Sequence, residues 1–256
     1  MKKNFQLILL ALGISAVCTA APASHAGIDS VRSFIRTSWD KTIRYNPRDE
    51  GTHIGLPRPY TVPSASGMFQ ELYYWDTFFT GEGLILDGKV ELARNNVENM
   101  LSLVDRYGKM LNGNRTFYTN RSQSPYLSMM IAAVYDATGD RTWLRKVLPG
   151  LEKEYRFWMT ERITPVGLNR HGNNATDEEK LAFIALLQER LGPNFKTEGL
   201  TREELLQIGS NHIAEAESWD FNPRYKMRCM DFGRIPHIEQ GLCRDRHQQR
   251  HDADSR

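Results

Sequence analysis

The feature that most constrains this sequence is the spacing of its apolar residues, which recur every three or four positions and seldom alternate. That spacing is the period of an α-helix, whereas strict alternation marks a half-buried strand. Ile28, Val31, Phe34, Ile35, Trp39 and Ile43 fall on helical positions over residues 29–44. Residues 73–86 read as a mostly apolar, buried helix. Residues 90–107 read as an amphipathic one, with Leu92, Val97, Leu101 and Val104 on or near one face and Gly108 ending it. Helices over 126–137, stopped by Gly139, and over 143–160, which Pro149 can split, come next. Thr176 with Glu179, and Thr201 with Glu204, each fit a capping box, in which the two side chains bond each other's backbone amides. They open two further helices separated by Gly192-Pro193. The expected class is all-α, with about seven helices and long polar loops over 45–68, 111–125 and 164–175. No repeat of fixed period can be aligned, which disfavours a solenoid. Polar, aromatic-rich loops between helices suit a site at one rim of a helical toroid.

The N-terminus is of another kind. Lys2 and Lys3 precede an apolar run from Phe5 to Val17, and Ser24-His25-Ala26 places small residues where a signal peptidase reads. Residues 1–26 are therefore expected to be a secretory signal. The run is shorter than the ~20 residues that span a bilayer, so no membrane insertion is expected after its removal. The implied location is exported, periplasmic or secreted. With 40% hydrophobic and 25% charged residues the chain has material for a core, so disorder throughout is excluded. A formal charge of +2 leaves no footprint for nucleic acid. Cys229 and Cys243 can pair in an exported protein, but two cysteines make no disulfide scaffold. The expected domain covers 27–225. Residues 226–256 form a divergent polar tail, where His247 and His251 have no further ligands nearby for a metal.

Three segments concentrate functional residue types outside any simple hydrophobic pattern. They are Gln70-Glu71-Leu72-Tyr73-Tyr74-Trp75-Asp76, then residues 112–123, and finally residues 215–224 around Trp219 and Asp220. Each mixes carboxylates, amides, arginines and aromatics. Sugar hydroxyls take paired hydrogen bonds from such groups, and aromatic rings cover the apolar faces of a sugar. The competing reading makes Tyr73, Tyr74, Trp75 and Trp219 core anchors and their charged neighbours buried ion pairs.

The runs QELYYWDTFF at 70–79, NGNRTFYTNRSQSP at 112–125 and AESWDFNPR at 216–224, in that order, resemble the trehalase family of glycoside hydrolases. The resemblance covers about residues 55–225. It implies a partial (α/α) toroid, an incomplete six-hairpin barrel with long rim loops. It also implies inverting hydrolysis of α,α-trehalose to two glucoses, a small disaccharide as the partner molecule, and no cofactor. Carried over by motif, Asp220 matches the general acid and Trp75 with Asp76 a pair that contacts the sugar. Asn112 matches a substrate amide, and Arg121, Ser122 and Gln123 a substrate-binding run. Glu71 and Glu217 are expected to support neighbours rather than face the anomeric carbon.

The sequence also departs from that pattern. Met68 stands where the resemblance puts a substrate arginine, and Ser218 where a glycine precedes the tryptophan. Similarity fades after Arg224, while the family's catalytic base lies in a later half. A C-terminally truncated member with impaired turnover is therefore expected. In that case the helix faces around Tyr126, Met129, Met130 and Val134 should lose their partners. The alternatives are a sugar-binding remnant without turnover, a hydrolase of a related α-glucoside, and a helical interaction protein.

Overall fold

The structure is a computed structural model and describes residues 26–218. Asp220, residues 1–25 of the expected signal and the polar tail lie outside the described residues, as do both C-terminal cysteines. The chain divides into two compact units, one ending at Ser38 and the other beginning at Trp39. The described part of the first unit is the leading stretch of α1, Ala26–Thr42. Within it the Thr37 hydroxyl donates back to the Ser33 carbonyl at 2.9 Å.

The second unit is built on helices α2 (Tyr74–Leu86), α3 (Val90–Tyr107), α4 (Leu127–Thr138), α5 (Arg141–Glu161), α6 (Asp177–Leu191) and α7 (Arg202–Ser218). The class is all-α, as the spacing indicates. The strands β1 (Ile43–Arg44) and β2 (Tyr60–Thr61) pair antiparallel, Ile43 opposite Thr61 and Arg44 opposite Tyr60. They correct the expectation that the first helix reaches Arg44 and that 45–68 is loop throughout. The pairing suits buried Tyr60, whose backbone would otherwise leave polar groups unmet.

Helix boundaries follow local chemistry. Gly108 and Gly139 end α3 and α4 with φ of 80° and 65°, a left-handed conformation that costs glycine little. Asp140 caps α5 by accepting from the Trp143 amide at 2.9 Å. Thr176 and Glu179 form the capping box of α6. Thr201 and Glu204 exchange the same two bonds before α7, at 3.3 and 2.8 Å. Pro149 does not split α5, which runs unbroken from Arg141 to Glu161. The buried face set by Trp143, Val147, Glu154 and Phe157 keeps one helical register on both sides of the proline. Packing on that face outweighs the one hydrogen bond a proline forfeits.

One core joins α2, α3, α4, α5 and β2, with Tyr74, Leu84, Met100, Leu103, Leu127 and Trp143 fully buried. A smaller one, of Ile184, Leu187, Phe195 and Ile208, joins α6 to α7. Met130 and Val134 are 4% and 1% exposed, contrary to the expectation of bare faces. Both α2 and α3 pack against α4 and cover that side, so that only Met129 of the apolar group is largely exposed, at 51%.

Candidate functional site

The first two sequence segments meet through their backbones. The Tyr74 amide at the start of α2 donates to the Asn112 carbonyl at 3.1 Å, and the Asn112 amide donates to the Arg121 carbonyl at 3.2 Å. The Trp75 amide donates to Oε1 of Gln123 at 3.2 Å. An amide in the first turn of a helix has no partner within the helix. The Gln123 side chain supplies one here, which ties the Trp75-Asp76 pair to the 121–123 run. Trp75 and Asp76 are half-buried, whereas Asn112, Arg121, Ser122 and Gln123 are buried. The Arg121 guanidinium lies 4.8 Å from the Tyr118 ring centre and 5.6 Å from that of Phe183. It also donates to Oδ1 of Asn120 at 2.9 Å.

A layer beneath holds these segments. Asn114, wholly buried, accepts from the Leu72 amide at 2.8 Å and donates to the Ile54 carbonyl at 2.9 Å. Its amide also donates to Nε2 of His53, 3.1 Å away. Burial, helped by the charge of Arg115, lowers the His53 pKa and keeps the ring in the neutral form that can accept. Glu71 is held by Arg115, with Nε at 2.7 Å from Oε1, and by the Tyr73 hydroxyl at 2.8 Å from Oε2. Burial first, with Tyr118 and Glu71 adding to it, raises the Tyr73 pKa and keeps that hydroxyl a donor. At the lip, Met68 is 77% exposed, and Phe69 takes a left-handed φ of 64°, a strained conformation for an aromatic residue.

The described start of the third segment, at the end of α7, reaches the same loop. Asn112 Nδ2 donates to the Ala216 carbonyl at 3.2 Å, and Ser124 Oγ to the Ser218 carbonyl at 2.9 Å. Between them Glu217, with no exposed surface, meets Arg162, which is 3% exposed. Arg162 Nε lies 2.8 Å from Oε2 and Nη2 lies 2.8 Å from Oε1, a two-pronged contact. Burial pushes the Glu217 carboxyl up. The His171 ring, the Arg162 fork and the Ser122 amide together outweigh burial and bring its pKa down to about 2. It is therefore a fixed anion at neutral pH. Arg162 lies outside the three motifs, and nothing in the sequence pattern marked it.

A cavity of about 590 Å³ has a described lining that includes Ser128, Glu154, Tyr155, Trp158, Arg170 and His171, the last of which also meets Glu217. Glu154 is 3% exposed and accepts from the Tyr74 hydroxyl at 2.5 Å. Among the described residues no helix is long and apolar enough to cross a membrane.

The loops that lead into and out of these helices bring amides, carboxylates and aromatics together, and sequence comparison places the chain among glycoside hydrolases. The family model described as Trehalase matches residues 23–226. The chain is 43% identical over 120 residues to a probable trehalase of Oryza sativa subsp. japonica, a match covering 47% of this chain and 21% of the relative. It is 40% identical over 132 residues to a periplasmic trehalase of Xanthomonas campestris pv. campestris (strain B100), covering 51% and 23%. A periplasmic trehalase of Pseudomonas aeruginosa is 38% identical over 146 residues, covering 56% and 26%. Among solved structures it is similar to the neutral trehalase Nth1 from Saccharomyces cerevisiae. That match has a TM-score of 0.48 and 26% identity, and it covers 77% of this chain and 41% of that one. The chain belongs to the trehalase family. Its matches span 21–26% of the length of these curated relatives.

Proposed function

We propose that this chain carries the sugar-binding rim of an exported trehalase-type glycoside hydrolase acting on α,α-trehalose by inversion. The observation that supports it is the interlock of the three motif segments. The Trp75 amide bonds the Gln123 side chain, and Asn112 bonds both the 121 carbonyl and the end of α7. In this reading α2 to α7 are consecutive hairpins of an (α/α) toroid. Trp75 and Asp76 address the sugar first, and Asn112, Arg121, Ser122 and Gln123 form the floor beneath it. Asp220, two residues past α7, holds its proton and delivers it to the glycosidic oxygen. A second carboxylate activates water on the opposite face, and inversion leaves about 6.5–9.5 Å between the two. Glu71 and Glu217 are each engaged by an arginine and support the rim instead. Residues 1–26 act as the export signal and place the protein in the periplasm or outside the cell. Met68 at the lip favours a related α-glucoside as a further substrate.

The test is calorimetric titration of the purified chain with trehalose, with anomeric proton NMR of any glucose released. Saturable binding weakened at least tenfold by Trp75→Ala supports the binding site. Inverting cleavage gives equal α- and β-glucose at the outset, retention α-glucose alone, and Asp220→Asn should abolish release. Binding without release favours a sugar-binding role only, the reading to which the engagement of Glu71 and Glu217 by arginines points. Absence of binding to trehalose and to other α-glucosides overturns the proposal.

A further inference from the structure

Glu217 has more hydrogen bonds than a buried counter-ion needs. Its Oε1 accepts from the Ser122 amide at 2.8 Å, and its Oε2 from the Gly172 amide at 2.6 Å, in addition to the Arg162 fork. His171 Nδ1 lies 3.7 Å from Oε2. Arg162 in turn donates through Nη2 to Oδ1 of Asn174 at 2.9 Å. One carboxylate thus joins four pieces of chain: the 121–123 run, the end of α5, the 171–174 loop and the end of α7.

A well-packed apolar pair can often replace a buried ion pair without loss of stability. An apolar pair cannot direct two backbone amides from different loops to one point. Charge-assisted, two-pronged contacts fix direction as well as distance. Residues on either side of Glu217 act in the same sense, since the Ala216 and Ser218 carbonyls accept from Asn112 and Ser124 of the same loop. Three consecutive residues are therefore registered on the loop that carries Asn112, Ser122 and Gln123, immediately before the chain leads to Asp220.

We propose that Glu217 is a positioning residue for the sugar site, with Arg162 as its partner: it sets the Arg121-to-Gln123 run and the point of departure toward Asp220 in one register. The proposal rests on the reading that these segments form the sugar site. Glu217→Gln keeps the size but places an amide N–H₂ among donors, and Arg162→Lys keeps the charge but removes the fork.

The experiment compares the full chain with both variants, and with Gly209→Ala as a destabilising change away from the rim. It measures melting temperature, trehalose affinity well below the melt, and amide hydrogen exchange. A merely structural role lowers the melt but leaves the affinity of folded molecules intact, as Gly209→Ala should. Positioning lowers affinity at least tenfold in Glu217→Gln. It also speeds exchange at Ser122 and Gly172 at least tenfold while Ile184 and Ile208 in the α6–α7 core stay protected. If Glu217→Gln does not fold, Arg162→Lys carries the same comparison. Affinity retained in a folded variant overturns the proposal, as does exchange that is unchanged or that rises equally through α6 and α7. If the unmodified chain does not bind trehalose, the functional reading fails by itself, and the local or uniform pattern of exchange still decides for or against the clamp.

Discussion

Replacing Glu154 by glutamine should change how stability depends on pH more than it changes stability itself. Glu154 lies in α5, 3% exposed, with the Tyr74 hydroxyl 2.5 Å away as its hydrogen-bond donor. Tyr74 is itself fully buried and accepts from the Leu127 amide at 3.1 Å. Burial pushes the Glu154 carboxyl up from 4.5 to about 7, and the Tyr74 bond opposes only part of that rise. Between those values the folded chain holds a proton that the unfolded chain has released. The stability associated with the neutral carboxyl is therefore complete below the unfolded value and is lost as pH rises through 7. At about 1.4 kcal/mol per pH unit the loss amounts to about 3 kcal/mol. For a chain of this size each kcal/mol moves the melting temperature by roughly 2–4 °C. Urea or thermal melts at pH 5, 6, 7 and 8 should show the unmodified protein losing stability across that range relative to Glu154→Gln. The amide still accepts from Tyr74 and carries no charge, so the two proteins should agree within about 1 kcal/mol at pH 5 and differ by about 3 at pH 8. Burial of His53 favours its neutral form and acts in the opposite direction, so the difference between the two proteins is the quantity to follow. Parallel curves for the two proteins would refute the assignment of a raised pKa to Glu154.

Two further changes have defined outcomes. A methyl group at Gly209 would stand 2.5 Å from the Lys180 carbonyl oxygen and 3.0 Å from its carbon, both backbone atoms. Gly209→Ala must therefore push α6 and α7 apart and should lower unfolding free energy by about 1–3 kcal/mol in urea; an unchanged midpoint would mean the helices do not approach so closely. Asn114→Ala strands the buried Leu72 amide and Ile54 carbonyl. It should cost about 1–3 kcal/mol or more and weaken trehalose binding through the displaced Leu72–Trp75 turn, whereas Asn114→Ala with unchanged stability would contradict the bonding pattern.

Legibility in the sequence followed the range of the interaction. The ends of α3, the glycine stops at 108 and 139 and the two capping boxes depend on residues within a few positions, and the pattern displays them directly. The β1–β2 pairing joins residues almost twenty apart through two rungs, too short for alternation to register. Pro149 is locally a helix breaker, and only the tertiary face it shares with Trp143 and Phe157 shows why α5 continues. At the candidate site, composition marked the three segments, and the resemblance of their motifs to the trehalase family selected Trp75, Asp76, Asn112, Arg121, Ser122 and Gln123 as candidates. It could also suggest that Glu71 and Glu217 serve as supports. It could not name their partners, because Arg115 and Arg162 look like any surface arginine until the chain is folded. Glu154 was not visible at all: among charged and apolar residues a glutamate reads as solvated, and only the packing of α3 and α4 on α5, with the Tyr74 hydroxyl on its carboxyl, makes it an interior acid.

The bonds that complete the rim have a consequence for the order of events when the chain is made. The contacts of Asn112 with Ala216 and of Ser122 with Glu217 close loops of 104 and 95 residues. By contrast α2 to α5 pack on near neighbours in the chain, and local contacts form ahead of distant ones because less loop entropy opposes them. During synthesis from the N-terminus that bundle can assemble while α7 is still unmade. Throughout that interval Arg162 is a solvated cation with no carboxylate to grip, and the Ser122 and Gly172 amides have nothing to point toward. A polypeptide cut between residues 162 and 216 would keep α2 to α5 and its main apolar interior, melt as a folded protein, and still lack the bonds that tie the end of α7 to the loop carrying Asn112 and Ser122.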